Sequence, residues 1–245
     1  FTVLSEFFTR RIFHYQTGFS ISKITVNSKI VLATTGWLLL IGTLFFLFVE
    51  DQNSLKGFSF FERVSLSFFQ SVTTRTAGYN TVDFTNLLLP TYWVLIIFMF
   101  IGASPGSTGG GIKTTTFLLL IKSGFSILKK QKNVNIFKKS IPFSHIDYAY
   151  TLVFLAAVCV FFSTLGLSFT ESGMKFEALL FESVSAFATV GLSMGITPAL
   201  TTAGKIIIIT AMFIGRIGPL TLTLSFMSNP HKDKVYFSKS DVLVG

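Results

Sequence analysis

Long apolar runs alternate with short polar segments along this chain, and the runs come in two lengths. Residues 30–49, 147–166 and 203–226 are each apolar over about 20 positions, the length a helix needs to cross the hydrocarbon core of a bilayer. A fourth run, 92–121, is interrupted. Two shorter segments, 58–74 and 174–188, carry an amphipathic helical period and are too short to cross. Each follows a long run, ends in Thr-x-Gly and precedes a second long run. The pattern predicts helix, re-entrant helix with loop, then helix, twice over. Irregular backbone at membrane depth is tolerated only where protein buries it or where it lines a watery path, so a pore is the economical explanation.

The duplication is visible in the residues. At an offset of 113, Met99-Phe100-Ile101-Gly102 falls on Met212-Phe213-Ile214-Gly215, and Phe68, Thr76, Gly78 and Leu87 fall on Phe181, Thr189, Gly191 and Leu200. The two units are expected at 28–128 and 146–228, joined by a lysine-rich linker at 129–145 and flanked by segments 1–27 and 229–245. The fold class is therefore all-α integral membrane, built from tandem helix, pore loop, helix repeats, with the second span of the first repeat broken by a glycine-rich loop.

Composition agrees with this picture. Half the residues are hydrophobic, 16% are aromatic and only 13% are charged, too little polar material to cover a water-facing globule. No signal peptide is visible, and the chain opens as if in the middle of something. Cys159 sits in an apolar run and reads as a small buried hydrophobe. The net charge of +9 does not imply nucleic acid, because its placement is lopsided. Thirteen Lys and Arg fall in 1–29, 122–146 and 229–245, against Lys56, Arg63, Arg75 and Lys175 in 50–89 and 169–201. That asymmetry puts the termini and the linker in the cytoplasm and makes this a multi-pass protein of the cell membrane. The opposite side holds Glu50, Asp51, Glu62, Asp83, Glu171, Glu177 and Glu182, an acidic mouth that would concentrate cations. The basic run Lys129, Lys130, Lys132, Lys138 and Lys139 suits anionic lipid, a cytoplasmic partner, or plain solvation.

Candidate chemistry lies in the loops. The first reads Thr76-Ala77-Gly78-Tyr79 and the second Thr189-Val190-Gly191-Leu192. Glycine at the same place in both allows backbone angles that turn carbonyl oxygens toward one axis, and a ring of carbonyls replaces the water shell of an alkali cation. The short helix before each loop aims the negative end of its dipole at the same point. Glu62, Asp83 and Glu182 are nearest, and solvated rim positions are expected for them.

The stretch Gly102 to Thr114 holds Pro105 and five glycines, Gly102, Gly106, Gly109, Gly110 and Gly111, so regular helix is excluded and a mobile mid-membrane loop is expected. Below the filter, Gly106, Ser107, Thr108, Gly109, Gly110, Gly111 and Lys113 would obstruct the path and move aside. A phosphate-binding loop is the competing reading. It fails because Ile112 separates Gly111 from Lys113 and the preceding segment is membrane helix. Arg216, inside the last run, should face a polar path, with backbone carbonyls at the ends of the glycine-rich loop as its partners.

The strings FFQSVTTRTAGYNT, IGASPGSTGGGIKTTTF, ESVSAFATVGLS and MFIGRIGPLTL resemble the third and fourth pore repeats of the Trk/Ktr/HKT potassium-transport superfamily, in its KtrB-type membrane subunit. Val242-Leu243-Val244-Gly245 resembles that family's C-terminus. The resemblance implies potassium uptake through a filter of four single loops, with Gly78 and Gly191 as filter glycines. Gly106 to Lys113 would match the gating loop and Arg216 the arginine beneath the filter. It also implies homodimers, each protomer with its own pore, on a ring of cytoplasmic nucleotide-binding regulatory subunits of the RCK/KTN type. Potassium is the transported ion, sodium a coupling ion at most, and no cofactor or catalytic residue is implied. Two of four repeats are present, so the chain is expected to be the C-terminal half of such a subunit, and two loops alone should not conduct selectively. Sodium transport is the nearer rival; an ATP-driven pump lacks its aspartate or phosphate loop, and a non-conducting membrane anchor would tolerate loss of either filter glycine.

Overall fold

A computed structural model of the chain describes residues 25–131, 133–137 and 139–218. The expected segments 1–24 and 229–245, the end of the last run from Pro219 onward, and Lys132 and Lys138 lie outside the described residues.

Helix α1, Val26–Val49, starts where the Thr25 hydroxyl accepts the amide of Ser28 at 3.3 Å. Its 24 residues rise about 36 Å at 1.5 Å each, enough to cross. The short helix α2, Phe60–Thr73, opens on a capping box in which Glu62 Oε2 accepts the Ser59 amide at 2.8 Å. That bond holds the exposed Glu62 carboxyl below its usual range. Helix α3, Leu89–Phe100, carries a proline in its first turn, where a missing N–H costs nothing. The expected interruption follows: α3 stops at Phe100, and helix α4, Thr114–Leu128, resumes fourteen positions later.

The second half begins with α5, Phe143–Thr170, then the short α6, Phe176–Phe187, and α7, Thr202–Ile217. Helix α7 is shorter than the expected run 203–226. It ends at Gly218, whose φ of 92° closes it in the left-handed region that glycine adopts freely. By length and composition α1 and α5 are the two described helices able to cross a membrane.

One element departs from the all-α expectation. Within the linker, β1 (Val134–Ile136) pairs antiparallel with β2 (Lys139–Ile141). Val134 and Ile136 bury one face of this hairpin against Ile30 and Ile146, beside Leu118 and Leu119. The linker is thus seated on the ends of α1, α4 and α5 by apolar contact, where its lysines alone suggested a solvated tether.

The two halves share one core. Phe181 of α6 is fully buried and packs edge-on to Tyr92 of α3 at 6.0 Å and against Phe84 at 6.3 Å. Leu95, Met99, Val184, Phe187, Val190 and Leu192 belong to the same cluster. Elsewhere α1 packs on α2 and α4, and α5 on α6 and α7.

Each long first helix is also fastened to the helix that closes its half. Glu50, the residue capping α1, is buried; Oε1 accepts the Leu88 amide at 2.9 Å and the Thr91 hydroxyl at 2.5 Å, and Oε2 accepts Asn53. Glu171, capping α5, accepts the Thr201 amide and hydroxyl at 3.1 and 2.5 Å. In both halves a carboxylate therefore sits at the helix N-terminus where the dipole favours it. Neither belongs to an open acidic mouth. Arg63 further neutralises Asp51 through a 2.5 Å ion pair, which leaves Glu62 and Asp83 as exposed acids of that side.

Candidate ion path

Two residues separate the end of helix α2 from Thr76, and one separates the end of helix α6 from Thr189, the first residues of their Thr-x-Gly loops. Thr74 and Ala188 are still right-handed. Two left-handed residues follow at a spacing of two in each loop: Thr76 (φ 66°) and Gly78 (75°) in the first, Thr189 (53°) and Gly191 (92°) in the second. The sequence pointed to the glycines. It placed Thr76 and Thr189 in the same loops without foreseeing that they turn left-handed, where a β-branched side chain costs about 1–2 kcal/mol. Two such residues in register mark a backbone that its surroundings hold in place.

The structure brings the loops together. A Cβ built on Gly191 would lie 3.6 Å from the Cα of Gly78, and one built on Gly78 would strike the carbonyl oxygen of Val190. Ala77 and Tyr79 are exposed, whereas Val190 and Leu192 are buried in the shared core. The first loop is tied by the Thr73 hydroxyl, which donates to the carbonyl of Tyr79, and by Gln70 Nε2, which donates to Thr81 Oγ1 at 3.0 Å.

Directly against these loops lies the glycine-rich segment. A parallel bridge between Ile101 and Ile112 pinches its ends, with the Ile112 amide donating to Phe100 O at 3.0 Å. Gly106, Ser107 and Thr108 at its tip are exposed. Gly109 and Gly110 face the other way: a Cβ on Gly109 would meet Thr76 Oγ1 at 2.7 Å, and one on Gly110 would meet Phe187 O at 2.9 Å. The Gly110 amide donates to Thr189 Oγ1 at 2.8 Å. Gly111 takes a φ of 71° as the chain turns back toward α4.

Two cations hold the carbonyls of this segment. Lys113 Nζ donates to Gly109 O at 2.5 Å, and Arg216 Nη1 donates to Thr108 O. Lys113 is also the residue capping α4 at its N-terminus, where the helix dipole disfavours a cation by roughly 0.3–1 kcal/mol, so its bond to the loop offsets an intrinsic cost. Arg216 meets a carbonyl of the glycine-rich segment, at its tip instead of at the ends where partners were expected. Gly215 beside it lets α7 press against Phe187, since a Cβ there would collide with the Phe187 carbonyl.

Two expectations are corrected. Arg75, counted with the outer charges, points back toward Gly102 O at 3.5 Å and is half-buried. Glu182 is no solvated rim residue. It is buried in α6 and accepts hydrogen bonds from the Ser193 and Thr197 hydroxyls. Glu62 and Asp83 are exposed as expected, and Thr85 holds the Asp83 carboxyl below its usual range by donating twice to it. Cys159 is half-buried against the core. No cluster of three or more His, Cys, Asp or Glu that could hold a metal ion occurs among the described residues.

The profile of the TrkH cation transport protein family matches residues 9–236 of the chain. The Ktr system potassium uptake protein B of Bacillus subtilis is 37% identical over 245 residues, all of this chain and 53% of that protein. The protein of the same description from Vibrio alginolyticus is 34% identical over 247 residues, again all of this chain and 52% of the relative. The potassium/sodium uptake protein NtpJ of Enterococcus hirae is 36% identical over 92% of the chain and 51% of its own length. The chain thus spans about half the length of the curated relatives it matches. Among solved structures, the potassium transporter TrkH from Vibrio parahaemolyticus superposes with a TM-score of 0.68 at 24% identity, over 80% of this chain and 43% of the other. That likeness fits an all-α membrane transporter fold.

Proposed function

From the chain's membership of the TrkH cation transport family, we propose that it is the potassium-translocating part of a Trk/Ktr-type uptake system. The Gly78 and Gly191 loops are two sides of a selectivity filter. Left-handed residues at alternate positions of Thr76-Ala77-Gly78-Tyr79 and Thr189-Val190-Gly191-Leu192 turn carbonyls to one side, where they take over the hydration shell of a potassium ion. Four sides are needed to enclose an ion, and this chain, which spans about half the length of those relatives, supplies two of them. The units 28–128 and 146–228 are then the third and fourth pore repeats, with termini and linker in the cytoplasm.

The observation that carries this reading is the approach of Gly78 to Gly191, two glycines 113 positions apart that lie so close behind their short helices that a Cβ on Gly191 would come 3.6 Å from the Cα of Gly78. Gly106 to Gly111 form the gate, closed by hydrogen bonds to the filter and by Lys113 and Arg216, whose charges oppose cations beneath it. By the same reading the protein is a homodimer on nucleotide-binding regulatory subunits.

Rubidium uptake by potassium-uptake-deficient bacteria expressing the full-length protein tests it. Wild type should carry rubidium, with potassium competing far better than sodium, and Gly191→Ser should erode that preference. Sodium competing equally in wild type would favour a potassium/sodium transporter, and an indifferent Gly191→Ser would leave a non-conducting anchor.

A further inference from the structure

Glu182 is an acid of the described region buried beside a Thr-x-Gly loop, and neither the gate nor the loops' own backbone accounts for it. Its Oε2 accepts Ser193 Oγ at 2.8 Å and its Oε1 accepts Thr197 Oγ1 at 2.5 Å, while the two hydroxyls lie 2.8 Å apart. Ser193 Oγ in turn accepts the Gly195 amide at 3.0 Å. One carboxylate thus ties α6 to the segment that leaves Gly191 and to the turn that follows. The first half has a counterpart of the same span: Gln70 of α2 reaches Thr81, eleven residues ahead, as Glu182 reaches Ser193. Those two side chains are one residue out of register at the repeat offset of 113, so that offset does not pair them.

We propose that Glu182 is a positioning residue for the Gly191 loop, setting through Ser193 and Thr197 the spacing of the carbonyls that select among alkali cations. The proposal rests on the filter reading above. Hydrogen bonds to an ionised carboxylate are roughly twice as strong as neutral ones, which suits a strut that must hold a loop against a passing ion. A second copy of the strut, neutral in Gln70, holds the opposite loop, whose outer end has the additional bond from Thr73 to Tyr79.

The test compares Ser193→Ala/Thr197→Val, which keeps the charge and removes both tethers, with Glu182→Gln and Gly191→Ser. Rubidium uptake by the full-length protein is competed with potassium or sodium, and each variant is checked for a single peak in detergent. Loss of the tethers should lower potassium-over-sodium preference by about tenfold, with Glu182→Gln intermediate because its amide keeps one acceptor oxygen. If Gly191→Ser erodes preference while the hydroxyl variants leave it unchanged, the strut is overturned and the filter stands. If Glu182→Gln slows both ions equally, Glu182 acts as a cation-attracting charge and the proposal fails. An unchanged Gly191→Ser removes the filter reading and the strut with it. Should the double variant misfold, unaltered preference in Glu182→Gln overturns the strut.

Discussion

The amide of Gly110 donates a 2.8 Å hydrogen bond to the hydroxyl of Thr189, 79 residues away. This bond joins the glycine-rich segment to the second Thr-x-Gly loop, and its acceptor is one of the two strained threonines. On the proposed reading the segment is a gate that opens only when this contact breaks. Removing the acceptor in Thr189→Val should favour the open segment by about 0.5–1.5 kcal/mol, while Thr189→Ser should behave as wild type. Rubidium uptake rates of the two variants check this; equal rates would mean the bond does not hold the gate.

Gly109→Ala tests the same contact sterically. Its Cβ would sit 2.7 Å from Thr76 Oγ1 and 2.8 Å from the Ala103 Cβ, so the segment must retreat from the first loop. Faster uptake with unchanged detergent stability is expected, because the tip before Gly109 is exposed and its Thr108 carbonyl is held by the Arg216 side chain. Arg216→Ala, which frees Thr108 O, should act in the same direction. Slower uptake in both would place the segment's role elsewhere.

Gly215→Ala should instead damage the fold. The Phe187 carbonyl occupies the space its Cβ would need, and Phe187 is itself 1% exposed in the core, so α7 must move away from α6. Overpacking of this kind costs typically 1–3 kcal/mol, seen as a lower Tm of the purified protein in detergent. An unaltered Tm would contradict the packing described.

Glu50→Ala removes a fully buried carboxylate and leaves the Leu88 amide and Thr91 hydroxyl without their acceptor. The expected loss is about 1–3 kcal/mol of stability, again read as Tm. Surface expression that matches wild type with no change of Tm would argue against the staple.

Acid should spare the outer carboxylates until low pH. Glu62, Asp83 and Glu171 are all held below their ordinary values of 4.5, 3.8 and 4.5 by hydrogen bonds from Ser59, Thr85 and Thr201. A depressed carboxylate contributes its stability above the unfolded value and loses it as pH falls through the folded one. These three therefore contribute fully from pH 7 to about 5.5, and loss begins as pH drops toward and below 4. In Glu171→Gln the fall of Tm below pH 4.5 should be shallower than in wild type.

Much of the fold was legible in the residues. Apolar runs of spanning length gave α1 and α5, Pro105 and the clustered glycines gave the break between α3 and α4, and the offset of 113 paired the two loops. Period, breaker residues and length act locally, so each leaves its mark on the chain itself. The same offset misled about environment. It matched Phe68 with Phe181, yet Phe68 is half exposed and Phe181 is completely buried. Helix α6 is enclosed by α3, α5 and α7, while α2 lies chiefly on α1, and equal sequence carries no record of unequal neighbours.

By itself the sequence determined which segments are helices, where they break, and that two equivalent glycine turns exist; backbone sterics and hydrophobic length decide those within a few residues. Only the tertiary structure decided what each polar group does. Glu50, Glu171 and Glu182 count as acids of one side in the sequence, and become buried acceptors because helix ends and hydroxyls distant in the chain converge on them. Thr76 and Thr189 turn left-handed for the same reason: the energy that holds a strained threonine comes from packing around it, and that packing exists only once the two halves have closed.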